Sequence, residues 1–234
     1  MPSPVARLWF RDADLPASAA HERALDGVTL ELSPGELVLV ELDERHPSVP
    51  LLDAALGLIE PTRGSVGFNT EPWHRRTTKS AAKARSLIGS VLDRAEWLAN
   101  LKVDQSILLA GEHHSDASDA DLRRDATYWA EHFGLEGLPK ERPYAVTRAV
   151  LRRAACVRAL MGKPELLLLE QPTRDGSPQF TEQLIAATTI ARRWGASVLW
   201  TTTNPAVYQE VAALADGVLR VDDTRLISPT GSTR

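Results

Sequence analysis

Apolar residues along this chain recur in two rhythms. Short apolar runs at 8–10, 28–32, 37–40, 65–68 and 87–92 predict strands, and Ser33-Pro34-Gly35 punctuates the second and third of them. From 94 to 162 the spacing lengthens to three and four residues, the period of a helix. Helices are expected over 103–111, 118–133 and 147–160. The second opens on Ser118-Asp119-Ala120-Asp121, an N-cap signal, and brings Leu122, Ala126, Trp129 and Phe133 near one face. The third carries Val150, Ala154, Val157 and Met161 on one stripe. The short rhythm then returns. Residues 165–170 are apolar enough for a central parallel strand. A helix over 178–194, a strand over 197–201, a helix over 205–214 and edge strands over 217–221 and 225–227 complete the chain. Residues 70–85 are polar and basic and read as a loop or an exposed helix. The last five residues are expected to fray. Strand alternating with helix, interrupted by one helical insertion, implies a mostly parallel sheet covered on both faces.

The stretch 35–64, GELVLVELDERHPSVPLLDAALGLIEPTRG, sharpens this picture. A strand (37–40) runs into a polar loop, a helix follows (49–58), and Pro61-Thr62-Arg63-Gly64 turns the chain. That is the frame of a phosphate-binding loop. A working loop has the pattern G-x-x-x-x-G-K-[ST], because glycines let backbone N–H groups surround phosphate and the lysine neutralises it. Here Leu42 and Pro47 occupy the glycine positions, Ser48 the lysine position, and Val49 the position of the Mg²⁺-holding hydroxyl. Pro47 and Pro50 have no N–H to donate, and Glu41, Asp43 and Glu44 bring negative charge. Two readings stand: an atypical phosphate site using Arg45, or a plain helix start capped by Ser48 with Pro50 in its first turn.

Composition narrows the class further. With 234 residues and 43% hydrophobic, the chain suits one α/β domain with a sizeable core. The balance of 27 basic and 31 acidic residues, net −4, gives no global attraction to nucleic acid or an anionic membrane. No apolar run approaches the roughly 18 residues of a transmembrane helix, and the N-terminus lacks a signal-peptide pattern. The single cysteine, Cys156, excludes an internal disulfide and reads as a small buried hydrophobe. His113-His114 has no further ligand at metal spacing, so it reads as loop and no metal is expected. Arg148, Arg152, Arg153 and Arg158 share one helix and suggest a solvated face or a subunit contact.

The order of these pieces, from ALDGVTLELSPGE through GLIEPTRGSV and RALMGKPELLLLEQPT to SVLWTTTNPAV, resembles the ATP-binding subunit of an ABC transporter. The resemblance implies a P-loop NTPase-like α/β core over 1–93 and 163–234, with N-terminal antiparallel strands and an inserted helical subdomain over 94–162. It also marks what is missing. Where that family has Asp then Glu after the apolar strand stand Glu170 and Gln171; a glutamine orients water but cannot take its proton. Thr203 replaces the switch histidine, and Asp93 replaces the glutamine that senses the γ-phosphate. The Leu-Ser-Gly-Gly-Gln signature becomes Val146-Thr147-Arg148-Ala149-Val150, which keeps an N-cap hydroxyl at Thr147 but loses the glycines that permit close approach. For the adenine-stacking aromatic only His21 is flat and cyclic between residues 15 and 23.

In that family two subunits sandwich two ATP molecules, each between one P-loop and the other subunit's signature. A chain degenerate at both would spoil both composite sites. The resemblance therefore implies a pseudo-ATPase kept for assembly or regulation on the cytoplasmic face of a membrane, with no cofactor expected. Its implied partners are a permease and another ABC ATPase subunit, active or equally degenerate. Rival expectations are a divergent ATPase using Arg45 and Glu170 with ATP and Mg²⁺, and a soluble scaffold without a membrane partner. Trp97, Leu98 and Leu101 resemble the segment that touches the permease, and a contact with the chain's own helical subdomain explains them equally. Spacing around the signature and segment 95–110 loosely resembles the lipid or lipoprotein branch.

Overall fold

The computed structural model describes residues 6–93, 97–174 and 176–228; the expected fraying of the last five residues lies outside them. The core is a six-stranded sheet formed by β3 (Leu37–Glu41), β6 (Ile88–Val91), β7 (Leu166–Glu170), β8 (Ser197–Thr202), β9 (Gly217–Asp222) and β10 (Arg225–Ile227). Its strand order is β10-β9-β3-β8-β7-β6, parallel except for the terminal β9–β10 hairpin. Successive side chains on a strand point to opposite faces, and both faces here are apolar. Leu37, Leu39, Leu167, Leu169, Val198 and Trp200 join one buried cluster; Val38, Val40, Leu166, Leu168 and Leu199 join the other. Burial on both sides explains the unbroken apolar runs seen in the sequence.

A second sheet, ordered β2-β1-β4-β5, is antiparallel. It comprises β1 (Leu8–Leu15), β2 (Leu25–Leu32), β4 (Arg63–Phe68) and β5 (Glu71–Pro72). β1 is longer than its apolar run predicted, because Arg63 bonds both Asp12 and Asp14 and holds the polar half of the strand in the sheet. Residues 70–85 contain β5, a 3-10 turn at Trp73–Arg75 and α2 (Thr78–Arg85), of which only Ala84 is buried.

Between β6 and β7 come α3 (Val103–His114), α4 (Asp119–His132) and α5 (Arg148–Leu160). Ser118 and Thr147 cap α4 and α5 as expected. His113 and His114 form the last turn of α3 instead of a loop. β6 lies hard against α5: a Cβ on Gly89 would sit 1.8 Å from the Ala159 carbonyl oxygen. Cys156 faces the core with 1% exposure, and burial pushes its thiol up to about 12. Since the thiolate is the reactive form, native protein is expected to leave an aromatic disulfide reagent unreacted and to release one equivalent on denaturation in guanidinium. α6 (Pro178–Arg193) and α7 (Pro205–Ala212) complete the fold.

The largest departure from the sequence pattern is α1. It spans only Leu51–Ala55, not 49–58, and its N-cap is Pro50 with no side-chain cap. Its end is set by Gly57 at φ +64, with Gly57 N–H donating to the Ala54 carbonyl and Leu58 N–H to the Asp53 carbonyl. That paired closure of a helix terminus needs a left-handed residue. The Trp73 ring also packs where a Cβ on Gly57 would be, 2.4 Å away.

Candidate functional site

Four parallel strands, β3, β8, β7 and β6, deliver their carboxyl ends to one edge of the sheet. This is where ligands bind in open α/β folds. Glu41, Thr202 and Glu170 end β3, β8 and β7 there, and Asp93 lies two residues past β6. The sequence-marked positions do converge on this edge. What joins them is a set of hydrogen bonds among themselves.

Ser48 does not cap α1. Its hydroxyl donates to Glu170 Oε1 at 2.7 Å, and its oxygen lies 2.8 Å from His21 Nδ1. On the other side of the ring, His21 Nε2 is 2.8 Å from Asp53 Oδ2 on α1. His21 is 5% exposed, so it is a buried link between the 16–24 segment and α1 and offers no open face for stacking. The second Glu170 oxygen accepts from the Asp93 amide at 3.0 Å. Glu170 is 6% exposed, with both oxygens engaged.

Gln171 adopts φ +46, a conformation few non-glycine residues take. Its Nε2 donates to the Pro47 carbonyl at 3.1 Å, and its Oε1 accepts from the Thr203 amide (3.1 Å) and hydroxyl (3.3 Å). Thr203, just past the end of β8, is therefore tied to Gln171. Strain of this kind persists when surrounding contacts over-determine the residue. Asp93 pairs through its two oxygens with Arg152 on α5 (3.1 Å) and with Arg174 (2.7 Å).

The 42–50 loop also spends its donors on itself. The Arg45 amide donates to Asp43 Oδ1 and the His46 amide to the Asp43 carbonyl. Arg45 reaches Asp43 through Nε and Nη2, and that bond holds the Asp43 carboxyl down to about 2. Leu42 and Val49 are buried in the core. A carboxyl depressed in the folded state stabilises above its ordinary range and loses that contribution as pH falls through about 2. In a carboxyl NMR titration Asp43 is expected to protonate near 2, and Arg45→Ala to return it towards 3.8.

These groups do not suit Mg²⁺ and a triphosphate. No ammonium faces the loop from position 48, Pro47 and Pro50 have no N–H, and the loop's Arg45 and His46 amides serve Asp43. Glu170 and Gln171 are held by Ser48, Asp93, Pro47 and Thr203. Among the described residues no group of three or more His, Cys, Asp or Glu side chains is placed to hold a metal ion. The contacts Asp53–His21–Ser48 follow the order of an acid–base triad. However, the serine proton goes to Glu170, so the hydroxyl is not poised as a nucleophile.

The remaining sequence candidates lie further off. Thr147 caps α5 through the Val150 amide, with Arg148 and Ala149 exposed in the first turn. Trp97 packs against the core cluster that contains α3–α5, and Arg158 covers its ring at 4.6 Å. Leu98 is half exposed and Leu101 partly so. The arginines of α5 do not form one solvated face: Arg152 serves Asp93, Arg153 lies over Phe180, and Arg158 lies over Trp97.

The sequence model of the ABC transporter family matches residues 50–174, more than half the chain. The chain belongs to the ABC transporter family. As a family member it is 27% identical over 171 residues to a phosphonates import ATP-binding protein, PhnC 2 of Synechococcus sp.; the match covers 70% of this chain and 64% of that protein. PhnC of Alcaligenes faecalis is 28% identical, over 70% of this chain and 62% of its own length. The cell division ATP-binding protein FtsE of Escherichia coli K12 is 25% identical, over 77% and 81%. The chain thus spans just under two thirds of the phosphonate relatives it matches. The dimeric ABC transporter cassette MJ0796, in a post-hydrolysis state bound to ADP and Pi, superposes with a TM-score of 0.79 at 19% identity, covering 94% of this chain and 96% of that one. That likeness establishes the ABC ATPase fold, including its antiparallel N-terminal sheet.

Proposed function

We propose that this ABC-family chain is a pseudo-ATPase, a subunit that keeps the cassette fold and acts by assembly or regulation in a membrane transport complex. The observation that carries this reading is the Ser48–Glu170 hydrogen bond. It joins the position where the family has its phosphate-neutralising lysine to the position where it has its metal-holding aspartate. The Gln171 bonds to Pro47 and Thr203 support it, because they commit the position of the catalytic carboxylate to backbone and hydroxyl partners.

The partners follow from the family: a permease and another ABC ATPase subunit, with this chain on the cytoplasmic face. No helix among the described residues is long and apolar enough to cross a membrane, which fits a peripheral subunit. The relatives' names, phosphonate import and cell division, support a transport-type or membrane-assembly role but do not fix a substrate.

Two assays test this. Purified chain is expected to release phosphate from MgATP no faster than a protein-free control; turnover on the order of 1 per second, ordinary for an enzyme, contradicts it. Tagged chain is expected to co-purify from detergent-solubilised membranes with a permease, and recovery only from the soluble fraction contradicts the partner assignment.

A further inference from the structure

Residues 72–92 include Arg75, Arg76, Lys79, Lys83 and Arg85 and no aspartate or glutamate, in a chain whose net charge is −4. They form the 3-10 turn Trp73–Arg75 and α2, then enter β6. Arg76 is neutralised by Glu71 at 3.1 Å and also donates to the Phe68 and Glu71 carbonyls. Arg85 donates to the Leu56 and Gly57 carbonyls, which occupy its N–H groups and leave its charge. Arg75, Lys79 and Lys83 are exposed and have no hydrogen bond or ion pair among the described residues. Arg75, Lys79, Lys83 and Arg85 are thus uncompensated. Setting the exposed, unpaired Glu60 against these four still leaves a surplus of three, so the charge is local and does not reflect composition.

Helix geometry decides which way this charge faces. Ala84 is buried and Ser80, Ala81 and Arg85 are partly so, whereas Thr78, Lys79, Ala82 and Lys83 are exposed. Lys79 and Lys83 are four positions apart, so they stand together on the outer side of α2. Apolar surface lies beside them. Leu58 is 57% exposed and Leu87 37%. Leu58 follows Gly57, whose carbonyl accepts from Arg85, and Leu87 lies two positions beyond Arg85. The two leucines therefore flank that guanidinium. The mounting is firm: Arg76 and Arg85 lie over the Trp73 ring at 5.2 and 5.4 Å, and Trp73 donates to the Ala55 carbonyl of α1.

We propose that α2 and its flanks dock on an anionic lipid surface, with the lysines and arginines at the headgroups and Leu58 and Leu87 entering the interface. Clusters of roughly four to eight Lys and Arg on a surface helix are what acidic lipids attract. Long basic side chains keep their charge in water while their stems cover apolar surface. A soluble acidic partner would use the cations alone; a bilayer interface also takes up the exposed leucines beside them. The proposal rests on the reading that places this chain on the cytoplasmic face, where the leaflet is negative. It concerns a separate surface, to which neither the 42–50 loop nor the Glu170 and Gln171 network contributes.

Flotation of the full chain with lipid vesicles tests it, using phosphatidylcholine alone and an equal mixture with phosphatidylglycerol. The chain is expected to float with the acidic vesicles at low salt and to be released as salt rises to about 1 M, where charges are screened beyond roughly 3 Å. Lys79→Gln combined with Lys83→Gln is expected to weaken this binding about 25-fold, about fivefold per lost cation. Both lysines are exposed and unpartnered, so the double variant is expected to keep the wild-type melting temperature, which separates lost binding from lost fold. Arg123→Gln with Arg124→Gln on α4 changes the net charge equally and is expected to leave vesicle binding unchanged. An equal loss in the two double variants makes the attraction global and overturns the proposal. So does equal flotation with phosphatidylcholine alone, or none with acidic vesicles. Binding of poly-glutamate without flotation overturns it in favour of an acidic protein partner. Protein-free vesicles contain no permease, so these failures leave the subunit reading standing; co-purification from membranes decides that reading separately.

Discussion

Glu170→Ala is expected to destabilise the protein by about 3 kcal/mol in equilibrium urea unfolding. Glu170 is 6% exposed and accepts from the Ser48 hydroxyl at 2.7 Å and from the Asp93 amide at 3.0 Å. Removing it leaves two donors without their acceptor in a water-poor site, at roughly 1–3 kcal/mol each when fully buried, and opens a void where the side chain was. The loss spreads, because Ser48 also fixes His21, and His21 fixes Asp53 on α1. Glu170→Gln keeps a carbonyl acceptor and the side-chain volume and is expected to cost about half as much. In the family a carboxylate at this position serves the metal. Here the position holds the fold, and a loss below about 1 kcal/mol for Glu170→Ala contradicts that role.

Gln171→Glu restores the residue type that catalysis in this family requires, and it is expected to damage the protein without adding activity. The amide nitrogen that donates to the Pro47 carbonyl at 3.1 Å becomes a carboxylate oxygen, so two acceptors face each other. The side chain is 3% exposed, so the new charge is also poorly solvated. Only the Thr203 amide and hydroxyl remain as donors to it. A loss of about 2 kcal/mol is expected, together with loosening of the 42–50 loop, which Gln171 pins at Pro47. Phosphate release from MgATP is expected to stay at background, because the loop still lacks lysine and glycine. A stable Gln171→Glu protein that hydrolyses ATP contradicts the reading of this edge as a closed hydrogen-bonded network.

The apolar runs at 37–40, 165–170 and 197–201 made the central sheet legible from sequence, because strands buried on both faces allow few polar positions. The Ser118 and Thr147 caps were legible because a cap is local chemistry. The length of α1 was not. Its end depends on Trp73 packing against Gly57, sixteen positions away. The losses at Leu42, Pro47, Ser48 and Gln171 could be read against the family pattern, but what replaced the ligand could not. Ser48 and Glu170 are 122 residues apart, and nothing in their spacing announces a hydrogen bond. His21 was noted only for its flat ring; the nearby signal was that Ser48 and Asp53 flank the start of α1 with side chains able to bond a histidine. The arginines of α5 looked like one face because helical periodicity describes a helix alone. Their partners, Asp93, Phe180 and Trp97, come from three other segments.

The claim tested most directly is that the sheet edge is occupied by the protein's own hydrogen bonds and holds no nucleotide. Isothermal titration of the full chain with MgATP measures it. No saturable heat assignable to the 42–50 loop is expected up to about 1 mM, beyond the range where binding is worth about 4 kcal/mol. Micromolar, Mg²⁺-dependent affinity for ATP that is lost in Arg45→Ala contradicts the claim.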